Sequence, residues 1–221
     1  MKNLILALAF IACSMCSAAS QAGVLLADYK INVDGLPPLP GIVNLAAFNT
    51  TTGLGTVTAT FNSPGTYYFG FFVDHDIDSA INTFFNEFGS VNGTQPSGLS
   101  WEIDEPGFVF GDIYVNFANS LLDNSNGVPL GSEDDVSMAL AWKLTVGVDE
   151  QAIVKMTLSQ TAPTSGFYLT QTDPGSNTSI YFSSSLDIVP TNATVPEPSS
   201  WLVILGLAAA SLRMRRKAIK A

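Results

Sequence analysis

DVSMALAWKLTV, residues Asp135 to Val146, alternates with a period of two. Val136, Met138, Leu140, Trp142, Leu144 and Val146 fall on one side of an extended chain. Ser137, Ala139, Ala141, Lys143 and Thr145 fall on the other. Successive side chains of a strand point to opposite faces, so this pattern predicts one buried face and one wet face. The next segment, QAIVKMTLSQ, repeats it with Ala152, Val154, Met156 and Leu158. GTVTATF sets Val57, Ala59 and Phe61 inward, and SIYFSSSLDI sets Ile180, Phe182, Leu186 and Ile188 inward. TYYFGFFV and DIYVNFANSLL also read as strands, richer in aromatics. Turn clusters such as NTTTGLG, NSPG, VNGTQPSG, DNSNG and TDPGSN separate these runs. About eight to ten short strands so spaced predict an all-β fold, an antiparallel, jelly-roll-like β-sandwich. One helix is expected, over Asp78–Gly89, where Ile81, Phe84, Phe85 and Phe88 fall at helical spacing and Asp78 stands as a cap.

Charge is low and unevenly placed. Asp, Glu, Lys and Arg make up 13% of the 221 residues, about half the usual ~25%. All 19 acidic residues lie between Asp28 and Glu197, a span that holds only Lys30, Lys143 and Lys155 as cations. Such a body repels phosphate backbones, which excludes nucleic acid as a partner and leaves divalent cations as natural counterions. Both cysteines, Cys13 and Cys16, sit near the start, so a body cut free of that segment has no thiol chemistry.

The two ends address a membrane. MKNLILALAFIACSMCSAASQA has one lysine, an apolar stretch and then small residues, the layout of a cleavable signal peptide over residues 1–22. The domain is expected over 23–189 and a linker over 190–195. Near the other end, Trp201 to Leu212 is a continuous apolar run followed at once by Arg213, Arg215 and Arg216. Twelve residues of helix span about 18 Å, short against a hydrocarbon core of about 30 Å. The arginines hold the C-terminus on the cytoplasmic side. Behind a secretory leader, this places the body across the membrane.

Pro196, Glu197 and Pro198, then the 201–212 run, then Arg213, Arg215 and Arg216, together resemble the PEP-CTERM sorting signal of Gram-negative bacteria. The resemblance covers 196–221. It implies an exosortase as processing partner, brief anchoring in the inner membrane, and release to the cell surface or extracellular space. It also implies an association with exopolysaccharide. Trp101–Gly107, Gly111–Tyr114 and Asp134–Leu140 resemble stretches shared by a group of such proteins, which brings no catalytic residue with it.

Candidate chemistry within the body is sparse. Asp74, Asp76 and Asp78 stand at the D-x-D-x-D spacing of an EF-hand loop, where carboxylates converge on calcium. Ser79 replaces the glycine and Phe85 the closing glutamate, so a calcium site here would be a looser one, closed by Glu87 or by Asp134 and Asp135, and the plainer reading is a strand that ends in an acidic loop with Asp78 as a helix cap. No other cofactor is expected. His75, the single histidine, reads as an exposed loop residue. Glu102, Asp104 and Glu105 cluster beside Trp101, as a sugar-cleaving carboxylate pair would. Glu102 and Asp104 are assigned to opposite faces of their strand, which denies them joint action. The function expected is that of a non-enzymatic surface or matrix protein. A calcium-dependent carbohydrate-binding module is the alternative, and a secreted hydrolase a weaker one.

Overall fold

A computed structural model describes residues 23–191 apart from 39, 81, 108 and 109. The leader 1–22, most of the linker, and the sorting segment with its 201–212 run lie outside the described residues. Among the described residues, no helix is long and apolar enough to cross a membrane.

The chain forms two antiparallel sheets packed face to face. One has the order β1 (Val24–Val33), β4 (Gly65–Ile77), β7 (Ser137–Val146), β6 (Leu99–Asp104). The other runs β2 (Val43–Phe48), β3 (Gly55–Phe61), β8 (Glu150–Ser159), β10 (Thr178–Pro190), β9 (Tyr168–Asp173), β5 (Phe88–Asn92). This is the expected all-β sandwich. The inner face of β7 meets that of β4 in register, with Phe69 opposite Trp142, Phe71 opposite Leu140 and Val73 opposite Met138. Val154, Met156, Ile180 and Phe182 answer from the second sheet, and all four are fully buried. Phe71 meets Phe48 and Phe182 edge-on, with centroids 5.4 and 5.9 Å apart. Edge-on contact sets the positive ring edge against the negative ring face.

The helix lies elsewhere than expected. Residues 82–86 form bends and turns, and Phe88 begins β5. Asp78 takes a left-handed φ of 60°. Asn82 and Asn86 donate side-chain hydrogen bonds to Asp173 at 3.2 and 3.1 Å, and Glu87 is buried. Those polar side chains are held by the second sheet, and a helix would have turned them away from it.

Among the described residues, the helix that does form is α1 (Ile113–Ala118), inside the stretch read as a strand. It has six residues and no side-chain N-cap bond, so its own hydrogen bonds do not sustain it. Ile113 and Phe117, four apart, pack on the outer face of β4 and β7 against Phe72, Ala139 and Ala141. Asn32 of β1 donates to the Phe117 carbonyl at 2.7 Å and ties down the helix end. The outer face of β7 is therefore wet only at Lys143 and Thr145. The small alanines beneath α1 let it approach the sheet closely.

Candidate functional site

Strand register gathers carboxylates on the outer face of the first sheet, at the edge of the area α1 covers. Asp28 on β1 stands opposite Asp74 on β4, Asp74 opposite Ser137 on β7, and Ser137 opposite Asp104 on β6. Paired residues share a face, so the four make one row across the sheet. Lys30 meets Asp28 at 2.8 Å, a partly exposed pair of small worth. Asp74 is buried and accepts a hydrogen bond from the Ser137 hydroxyl at 3.1 Å. Burial pushes its carboxyl up to about 6, with Asp76 and Asp28 adding to the rise. Asp135, just before β7, is pushed up to about 7 by burial and by the charges of Asp74 and Asp76.

At the β6 end of the row lies the tightest group. One carboxylate oxygen each from Glu102, Asp104 and Asp112 lie within 4.8 Å of one another. Glu102 and Asp104 therefore share a face, which corrects the reading above: residues two apart on a strand point the same way. Glu102 is fully buried. Its Oε1 accepts from the Asn116 side chain at 3.0 Å and its Oε2 from the Asp123 backbone N–H at 3.3 Å. Burial pushes it up to about 7, and the nearby charges of Asp123 and Asp112 oppose ionisation further. Asp104 Oδ2 accepts the Asp112 backbone N–H at 2.8 Å. Gly127 lies so close to Asp104 that a Cβ there would overlap Oδ1. Hard oxygen donors grouped in this way suit calcium or magnesium, or share protons when no cation is bound.

Asp74 and Asp76 lie along β4, and Asp78 falls past its end, where its Oδ1 accepts the Gly23 N–H at 3.1 Å. The EF-hand spacing is thus laid out on a strand, and these three do not form a 4.8 Å group among the described residues. His75 belongs to the inner face of β4 and is fully buried, which corrects its reading as an exposed loop residue. The inward alternation of Phe69, Phe71 and Val73 simply continues through it. Burial holds its imidazole down to about 4, so it is neutral at physiological pH. Trp101 is half-buried, donates from Nε1 to Gln95 at 3.2 Å and packs 6.2 Å from Phe167.

Sequence reading missed Asp112 because its segment was taken as a strand. The pair Ile113 and Phe117, at helical spacing right after Gly111 and Asp112, was the available signal.

No curated protein and no solved structure is significantly similar to this chain. Residues 194–217 match the family model of the PEP-CTERM protein-sorting motif. That span contains Pro196, Glu197, Pro198, Arg213, Arg215 and Arg216. The chain thus carries a PEP-CTERM protein-sorting motif, the mark of an exported protein addressed to an exosortase.

Proposed function

We propose that this is a cell-surface or extracellular-matrix protein of a Gram-negative bacterium, processed by an exosortase, which associates with exopolysaccharide and acts without catalysis. The sorting motif at 194–217 carries the reading. The body adds support. Glu102, whose carboxyl is raised to about 7, is fully buried and accepts from Asn116 and Asp123, out of reach of a glycosidic oxygen. His75 is enclosed between the sheets. Co-sedimentation of the processed protein with polymer purified from its host tests the association. Binding that survives washing and is lost after enzymatic digestion of the polymer is expected. A protein that stays in the supernatant at every polymer concentration contradicts it.

The grouping of Glu102, Asp104 and Asp112 favours a second reading, a calcium-dependent glycan-binding module. Asp74, Asp76 and Asp78 are the other proposed calcium ligands. A cation between an acidic protein and an acidic polymer would offset their repulsion. The same sedimentation with and without a chelator separates the two readings.

A further inference from the structure

We propose that the outer face of the six-stranded sheet is a glycan-docking face, which takes a polysaccharide strand through hydroxyl bonds and tyrosine stacking, without a bound cation. The proposal rests on the exopolysaccharide association stated above and gives it a place on the molecule. Strand register defines the face. Paired residues share a face, so the inward Ile180, Phe182, Val154 and Met156 leave Tyr181, Ser183, Lys155 and Thr157 turned outward. From Ser183 one row runs through Tyr168 to Asn92, and the other way through Thr157 to Thr56. The next row holds Ser90, Thr170, Tyr181 and Ser159. Neighbouring strands lie about 4.8 Å apart, and like-facing residues about 7 Å apart along each, so hydroxyls recur over this face at close and regular intervals.

The side chains suit sugars. Tyr168 and Tyr181, on adjacent strands, are half-buried and meet edge-on with centroids 5.9 Å apart. Such a ring offers its apolar face to the C–H bonds of a sugar while its hydroxyl stays wet. Thr56 and Thr157 share a hydrogen bond at 3.1 Å, and Thr172 and Ser179 share one at 2.8 Å. A hydroxyl has one donor and two acceptor sites, so each pair holds its own geometry and still has sites for a partner's hydroxyls.

Charge selects the occupant. Among the outward positions of these paired strands, only Lys155 and Asp187 are ionisable acids or bases. The outer face of the other sheet carries the carboxylate row from Asp28 to Asp104. A polymer bearing acidic groups is repelled there and meets little opposing charge here. A nucleic acid needs a cluster of cations and would find one lysine. A folded protein or a lipid surface needs an apolar centre. Phe85, Phe110, Leu121 and Leu130, all strongly exposed, lie in loops and turns away from these strands. Among the described residues, Val189 is the exposed large apolar side chain on this face, and it stands near the end of β10.

Co-sedimentation of the processed protein with polymer purified from its host, with and without a chelator, tests the face. Wild-type binding should be unchanged by the chelator. Tyr181→Ala and Ser183→Glu should each weaken binding by about tenfold or more, as the loss of an anchoring contact does, while Asp112→Asn binds as the wild type does. Wild-type affinity in both face variants overturns the proposal and leaves the association standing. Binding lost to the chelator or to Asp112→Asn moves the contact to the carboxylate group and overturns it too. A wild type that never sediments removes the association, and the face with it. A polymer-free dimer that Ser183→Glu splits assigns the face to a second copy of the chain, which also overturns the proposal. Should the face variants not fold, hydroxyl-radical footprinting of the wild type decides. Polymer should protect Tyr168 and Tyr181 more than Tyr114 on α1, and equal protection of the three overturns the proposal.

Discussion

Leu140 shows how much one position on β7 carries. It is fully buried, opposite Phe71 on one side and Trp101 on the other. Leu140→Ala should cost about 2–5 kcal/mol of unfolding free energy in urea, because a cavity adds to the lost transfer energy. Gly127→Ala should cost roughly 1–3 kcal/mol by the same assay, because the new methyl must displace Asp104. A Gly127→Ala protein with an unchanged denaturation midpoint would mean that Asp104 is not held where described. Residue identities along the core were legible in the sequence: Val57, Phe61, Val154, Leu158 and Ile180 all face inward as the alternation requires. His75 was not legible, because a lone polar residue between two aspartates gives no sign of which face it takes. Its burial follows from the strand extending to Ile77, past where the acidic residues suggested a loop.

Elements were legible where one period ruled. β7 and β8 hold a period of two over ten residues each, with no competing spacing. The segment from Ile113 to Phe117 satisfies two periods at once: 113, 115 and 117 alternate, while 113 and 117 also fit a helix turn. Val115 is 55% exposed while Ile113 and Phe117 are buried, so the helical spacing prevailed. What decided it was a long-range feature, the pair of alanines on β7 that leaves room for α1. Ala139→Leu should therefore lift α1 and cost roughly 1–3 kcal/mol by overpacking. Exchange protection should fall across 113–118 and hold in β8. Equal protection across 113–118 in variant and wild type would contradict this packing. The Asp78–Gly89 stretch failed in the opposite way, its helical spacing overridden by bonds from Asn82, Asn86 and Glu87 to distant strands.

Across the whole molecule, the surplus of carboxylates sets a pH dependence. Asp74 is raised to about 6, Glu102 and Asp135 to about 7 and Glu87 to about 8. A folded state with raised carboxyls binds more protons than the unfolded chain between about pH 4 and those values. Stability should thus be fullest near pH 4 and decline as pH rises to about 8, which thermal denaturation across that range would read. A melting temperature that climbs from pH 5 to 8 would contradict the burial of these groups. The address at the C-terminus was legible because it is a linear motif, with its order and spacing carried by adjacent residues, whereas the carboxylate row exists only through strand register. The account rests most on that address, and fractionation of the native host expressing Glu197→Ala tests it most directly. The account predicts that the wild-type body reaches the surface or medium while the variant stays in the inner membrane. Release of the variant at the wild-type level would contradict it.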